Sequence, residues 1–360
     1  MKLVVQVKLL PTAEQAALLL RTMEAFNAAC NAAAAVAFEN RMASKVLLQR
    51  LVYRRLREEF GLSAQMAVRA ISKVCEAYKR DKRIQPTFRP HGAMPYDERI
   101  LSYKAADRVS ILTLEGRILV PIVFGAYCDG WDRMRRGQAD LVYRDGRFYL
   151  LQTIDVPTPP ERGAPDWLGV DLGVVNIATD SDGEVYSGGK LLGLRHRYQR
   201  IRQRLQKKGT RSAKRLLAKR RRKETRFARD TNHVISKRLV RKAEGTGRGI
   251  ALEDLKGICD RVNGSRSHRR TLHSWGFAQL QSFIAYKARM AGVPVVYVDP
   301  RNSSRTCPSC GCVDKRNRRS QSEFLCVACG LGGLADHFAA VEIGRRGAVM
   351  RPYTIPAQAG

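Results

Sequence analysis

Acidic residues are scarce in this 360-residue chain: 33 Asp and Glu stand against 65 Lys and Arg, a formal net charge of +32. An excess of that size repels itself in a compact state unless a partner neutralises it, so a polyanion is the expected partner. Long apolar runs are also missing. No stretch approaches the about 18 uncharged residues of a membrane-spanning helix. Lys8 interrupts the opening MKLVVQVKLL before a signal-peptide core could form. The expected location is therefore the cytoplasm. No Lys-rich amphipathic helix carries Trp or Phe on its other face, which argues against a membrane surface as the polyanion and leaves nucleic acid. A disulfide framework is absent as well. Of nine cysteines, five fall within the 23 positions 307–329, which is metal-site crowding. Disorder as the main state is excluded by a hydrophobic content of 44%, and the length allows two or three domains.

What is present reads as two parts joined by a linker. MKLVVQVKLL alternates as a strand, and Thr12 with Gln15 forms a capping-box pattern that opens an Ala/Leu-rich helix to about Asn40. Helical periodicity resumes over Val46–Glu59 and Ser63–Arg80. From Ile100 to Val156 the pattern is β-rich, with Asp145-Gly146 as a hairpin turn. The first part is thus a β unit with a helical block inserted in it. Four prolines between Val156 and Pro165 mark the linker. Beyond it, WLGVDLGVVNIATDSDGEVYS fits a three-stranded antiparallel meander that turns at Asp182-Gly183. A long basic helical region (about 190–244), a strand RGIALEDL, a helix (about 274–291), a strand VPVVYVDP and a last helix near Leu334 follow. Three antiparallel strands, then alternating helix and strand, is the order of a ribonuclease-H-like fold. The class is α+β and multidomain.

Cys307-Pro-Ser-Cys310 and Cys326-Val-Ala-Cys329 are two CxxC knuckles with 15 residues between them. Four thiolates at that spacing converge tetrahedrally on one zinc. Gly311 and Gly330, one after each pair, permit the tight turns toward the metal. With four protein ligands the site is closed and structural. Redox or merely buried cysteines are the weaker reading, and Cys312 is a spare thiol at the wrong spacing for a knuckle.

Among so few acids, three are placed for chemistry. Asp171 ends the strand in Leu-Gly-Val-Asp-Leu-Gly, before Gly173; Glu253 ends the strand Ile-Ala-Leu-Glu; Asp336 opens a helix whose Ala339 and Ala340 allow close packing on a sheet. An acid after a strand is usually a solvated loop residue. Three on separate elements at one edge of one sheet would instead hold two divalent cations, magnesium or manganese, for phosphodiester hydrolysis.

Between Lys190 and Arg229 there are 18 Lys and Arg against the single acid Glu224, more than half of the net charge. The candidate nucleic-acid contacts are Arg195, Arg197, Arg200, Arg202, Arg204, Lys207, Lys208, Arg211, Lys214, Arg215, Lys219, Arg220, Arg221, Arg222 and Lys223. Arg195 to Arg204 are expected to ring a helix rather than form one stripe, which suits phosphates on more than one side. A solvated charged face is the competing reading, weakened by the lack of acidic partners. Aromatics are thin here (Tyr198, Phe227), so base stacking is not the main mode.

Taken together, GVDLGVVNIATDSDG around Asp171, ALEDLKGI around Glu253, SSRTCPSCG with CVACG, ADHFAAVEIGRRG around Asp336 and the opening MKLVVQVKLLPTAEQ make the chain resemble the transposon-encoded TnpB family of RuvC-type nucleases, relatives of type V CRISPR effectors. Phe338 and Arg305 depart from the family, where Asn and Gln are common. The resemblance implies a wedge-like β-barrel (1–11 and 95–156), a helical recognition lobe (12–94), a linker (157–165), a RuvC-like nuclease domain (166–300 and 331–350), a zinc ribbon (301–330) and a tail (351–360). It gives Asp171, Glu253 and Asp336 the catalytic, cation-holding roles and Cys307, Cys310, Cys326 and Cys329 the zinc. It also implies a guide RNA and a double-stranded target DNA with a short flanking motif, cut by an RNA-guided endonuclease. An RNA-guided DNA-binding regulator with little cleavage is the alternative. A zinc-ribbon RNA-binding or modification protein and a DNA-joining transposase are weaker readings.

Overall fold

Thr12 opens the first helix through a reciprocal cap: its Oγ1 accepts from the Gln15 N–H and its own N–H donates to Gln15 Oε1, each at 3.2 Å. The computed structural model describes residues 1–104, 107–124, 134–220, 223–255 and 276–350. The chain divides into two units, Met1–Pro157 and Thr158–Gly360.

In the first unit, β1 (Lys2–Leu9) leads into α1 (Ala13–Glu39), α2 (Lys45–Glu58) and α3 (Ala64–Arg80). Strands β2 (Met94–Tyr96), β3 (Leu101–Lys104), β4 (Arg108–Thr113), β5 (Gly116–Val123), β6 (Arg135–Arg144) and β7 (Arg147–Asp155) follow. The β6–β7 hairpin turns at Asp145-Gly146, with φ of 51° and 77°, the left-handed pair that an Asp-Gly turn favours. One seven-stranded antiparallel sheet results, in the order β2-β6-β7-β1-β5-β4-β3. It curls toward a barrel. Tyr103 on the edge strand β3 donates its hydroxyl to Gln152 Oε1 on β7 at 3.2 Å, and Tyr96 on the other edge strand β2 reaches the Leu112 carbonyl of β4 at 3.1 Å. The helices bury Leu19, Met23, Phe26, Ala33, Met66 and Val74 in one core with the sheet.

The second unit carries a five-stranded sheet in the order β10-β9-β8-β11-β12. Strands β8 (Trp167–Asp171), β9 (Asn176–Asp180) and β10 (Val185–Ser187) form the antiparallel meander, and β11 (Gly249–Glu253) and β12 (Val295–Val298) add in parallel beside β8. Between them lie α4 (Gly189–Lys208), α5 (Arg211–Arg220), α6 (Lys223–Gly245) and α7 (Phe277–Ala291). Asp180 on β9 is fully buried, and Lys242 of α6 answers it with Nζ 2.6 Å from Oδ2. Lys242 also lies 3.1 Å from Asp182, which Arg248 grips with both guanidinium nitrogens. A buried acid with a fixed cation thereby ties α6 to the turn between β9 and β10.

The last helix, α8 (Ala335–Val349), crosses the sheet at a distance only glycine allows. A Cβ on Gly169 of β8 would stand 1.9 Å from the Ala340 carbonyl, and one on Gly347 would stand 2.7 Å from the Ala251 side chain. The expected small-residue packing at Ala339 and Ala340 is present, both being buried, and Gly344 extends it. Between β12 and α8, a hairpin of β13 (Glu323–Leu325) and β14 (Gly332–Leu334) runs four residues past the ribbon boundary expected at 330.

Candidate functional site

The register between β8 and β11 pairs Val170 with Leu252, so the next residues, Asp171 and Glu253, end neighbouring parallel strands at the same edge. Asp336 lies in the first turn of α8, held near that edge by the close helix–sheet contact. Asp171 senses the other two carboxyls. Burial, then Glu253, then Asp336 push the Asp171 carboxyl up to about 8, and Arg318 and the Leu172 N–H only partly offset them. Glu253 is 8% exposed, and burial raises its carboxyl too, against the Ser303 hydroxyl and the Arg346 charge.

Asp336 and Glu253 each have side-chain neighbours. Asn176 Nδ2 donates to Asp336 Oδ2 at 2.9 Å, and Arg318 lies 3.4 Å from Asp336 Oδ1. Ser303 donates its hydroxyl to Glu253 Oε1, and Gln281 Nε2 donates to the Glu253 carbonyl at 2.7 Å. Sequence reasoning missed all four. Only Asn176 had a signal: it begins the strand that folds back on β8. Gly173 serves the turn itself, since a Cβ there would stand 2.7 Å from the Asn176 carbonyl. An all-oxygen donor set at a sheet edge fits a hard cation such as magnesium or manganese.

The four knuckle cysteines gather with all their Sγ atoms within 4.8 Å. The cross pairs Cys307–Cys329 and Cys310–Cys326 are 3.6 and 3.5 Å apart. A tetrahedral zinc with bonds of about 2.3 Å needs sulfurs about 3.7 Å from one another, so the cluster fits that ion. Gly311 and Gly330 both take φ of 74°, and each donates its N–H to the first cysteine of its knuckle. Cys312 is not among the four; its carbonyl accepts from the Cys307 N–H and from Asn317 Nδ2. Phe338 packs its ring 5.2 Å from that of Phe324 and fixes α8 to the cysteine module.

The basic helices depart from the expected ring. Arg195 and Arg202 lie on one side of α4 and both face Glu224 of α6, at 3.7 and 3.4 Å. At about 100° per residue, Arg197, Arg200, Arg204, Lys207 and Lys208 occupy the opposite side, exposed and without an acidic partner among the described residues. The charges divide because one acid on the returning helix claims one face. Arg211, Lys214, Arg215, Lys219 and Lys223 are exposed and Arg220 is half-buried, whereas Arg221, Arg222, the tail 351–360 and the end of the ALEDLKGI motif lie outside the described residues.

Residues 151–256 match the family described as a probable transposase, and residues 277–343 match the Cas12f1-like TNB domain. A TnpB-like protein of Methanocaldococcus jannaschii is 35% identical over 174 residues, 45% of this chain and 62% of that one. The chain is thus similar to TnpB-like proteins. It is also 42% identical to the CRISPR-associated endodeoxyribonuclease Cas12f1 of Sulfoacidibacillus thermotolerans over 118 residues, 32% of its own length and 26% of the relative's. The putative RNA-guided DNA endonuclease InsQ of Escherichia coli is 25% identical over 73% of the chain and 68% of its own. The chain thus spans less than two thirds of the first two relatives. Its fold is that of the Cas12f1 chain solved by cryo-EM with sgRNA and target DNA, at a TM-score of 0.64 and 16% identity over 92% of this chain and 83% of that one. Among the described residues, no helix is long and apolar enough to cross a membrane.

Proposed function

We propose that this chain is a member of the TnpB family, an RNA-guided DNA endonuclease of a transposon that acts in the prokaryotic cytoplasm. The observation that supports the reading is the placing of Asp171 and Glu253 at the ends of neighbouring parallel strands, with Asp336 near enough to add to burial and Glu253 in raising the Asp171 carboxyl to about 8. In this reading the second unit is a RuvC-like, ribonuclease-H-type nuclease domain (166–300 and 331–350) carrying a zinc ribbon (301–330). The first is a wedge-like barrel (1–11 and 95–156) with an inserted recognition lobe (12–94), and 157–165 links them.

Asp171, Glu253 and Asp336 would hold two magnesium or manganese ions. Such a pair, when bound, activates water and stabilises the leaving oxygen of an in-line phosphodiester hydrolysis. Asn176 and Arg318 hold the Asp336 carboxylate in place from either side, so its oxygens need not reorganise on binding. The exposed side of α4, from Arg197 to Lys208, would grip phosphates of the guide RNA or the target duplex. Base pairing with the guide would supply sequence selection, and a short flanking DNA motif would be read by the protein.

The test is to purify the chain with its co-expressed RNA, sequence that RNA, and present duplex DNA matching it beside a mismatched control. Magnesium-dependent cutting of the matched duplex alone is the expected result. Occupancy of the matched duplex with no cutting would instead favour the RNA-guided regulator.

A further inference from the structure

The loop that leaves β12 touches one of the three acids, and nothing said so far about metal or nucleic acid explains that contact. Ser303 is 5% exposed and places its hydroxyl on Glu253 Oε1. The same oxygen lies 3.1 Å from the Pro300 carbonyl. A serine has one proton to give, and a carboxylate is the stronger acceptor of the two. Ser303 does not sit there by chance of rotamer, because its loop is strapped from behind. Arg346 of α8 donates through NH1 to the carbonyls of Asp299 and Arg301, both at 2.8 Å, and lies 3.3 Å from Thr306 Oγ1 through NH2. Its Nε is held 2.8 Å from Glu342 Oε1, a carboxylate only 1% exposed. Asn302, with φ of 57°, gives the loop a tight turn, closed by the N–H groups of Arg305 and Thr306 on its carbonyl. A buried ion pair thus fixes an arginine, the arginine fixes a loop, and the loop presents one hydroxyl to one carboxylate oxygen.

We propose that Ser303 is the positioning residue of Glu253: its hydroxyl occupies Oε1 and fixes the carboxylate so that Oε2 is turned to the cation centre it shares with Asp171 and Asp336. The inference rests on the reading of those acids as a cation centre. Without the hydroxyl, Glu253 would be a buried carboxylate free to choose among rotamers, and each cation would have to order it on arrival. Partners that orient a metal-binding carboxylate in this way are worth about 10–100-fold in affinity.

The competing explanation is that Ser303 only closes its own turn through Pro300. The full-length chain decides between them by titration with manganese alone, followed by electron paramagnetic resonance, with zinc content as a control on the ribbon. Ser303→Ala is expected to weaken manganese binding by about 10-fold or more at unchanged zinc content, and Ser303→Thr, which keeps the hydroxyl, to restore it. In a Glu253→Ala background, Ser303→Ala should weaken binding no further. Cleavage by Ser303→Ala should need more manganese yet recover much of its rate at saturation. Manganese binding by Ser303→Ala equal to that of the unaltered chain would overturn the inference and leave the nuclease reading standing. So would an added loss in the Glu253→Ala background, or a Ser303→Thr chain as impaired as Ser303→Ala. Failure of the unaltered chain to bind manganese would overturn the nuclease reading, and the inference with it.

Discussion

Arg318, in the cysteine module, lies 3.4 Å from Asp336 on α8, and its charge also opposes the rise of the Asp171 carboxyl. The module whose four cysteines fit zinc therefore contributes a cation that faces the acidic centre. Its main chain is tied by the Arg318–Phe324 bridge, and its guanidinium donates to the Gln321 carbonyl at 2.8 Å.

Proton competition at Asp171 follows from that balance. Its carboxyl titrates near 8, well above an ordinary aspartate, so at lower pH a cation must displace a proton. Manganese affinity of the full chain should climb with pH up to about 8 and then level off, with protons released on binding. Arg318→Ala removes the opposing charge, pushes Asp171 higher still and should move this rise to higher pH. Calorimetry in buffers of different ionisation enthalpy measures both. The same shift predicts stability: from about pH 4 to 8 the unfolded chain ionises Asp171 and the folded metal-free chain does not, so stability falls over that window. Asp171→Asn should remove that loss and raise metal-free stability at pH 8 by on the order of 1–3 kcal/mol, read by thermal melting.

Zinc removal should reach the acidic centre. If the four cysteines hold zinc, Cys326→Ser breaks a closed four-thiolate site, and the chain is expected to lose zinc together with order around Phe324 and Phe338. Because the Phe324 bridge and the Gln321 carbonyl of this module help to hold Arg318, manganese binding at the acids should weaken in the same variant. Zinc content by atomic absorption and a manganese titration would show the two losses together; a normal manganese titration on the zinc-free protein would separate them.

The two sides of α4 should respond differently. Replacing Arg197, Arg200 and Arg204 by Ala takes three exposed charges from the open side, and the salt dependence of nucleic-acid affinity should flatten by about 2–3 units of slope. Replacing Arg195 and Arg202 disrupts the contacts with Glu224. It should lower the melting temperature, at a cost of about 1 kcal/mol for the more exposed Arg202 pair or less, and change the salt slope little.

Much of this was legible beforehand because it rests on local pattern. Strand ends carrying Asp171 and Glu253, the alanines after Asp336 and the two CxxC knuckles each declare themselves within a few residues. What was not legible depends on contacts between distant segments. Arg318 sits among several basic residues between the knuckles, and nothing local tells it from its neighbours. Ser303 faces Glu253 only because Arg346, 43 positions later, holds the loop. The α4 arginines look like a ring until α6 returns with Glu224 and claims one side. Phe338, a departure from the family pattern, proved to be a packing residue against Phe324.

Close approach of α8 to β8 places Asp336 near Asp171, and it has no slack. Gly169→Ala would put a methyl 1.9 Å from the Ala340 carbonyl. The cost should exceed about 3 kcal/mol, with manganese binding lost alongside stability. A thermal melt and a manganese titration on the same sample check it.

The most direct test is the rate at which the purified RNA-bound protein cuts a guide-matched DNA duplex in magnesium, compared with Asp171→Ala under identical conditions. The account predicts cutting by the unaltered chain and a loss of at least about 1,000-fold in the variant (about 4 kcal/mol of barrier), with RNA and target still bound. Cutting that survives Asp171→Ala would contradict the assignment of the centre, and a matched target held but left intact by the unaltered chain would contradict the endonuclease itself.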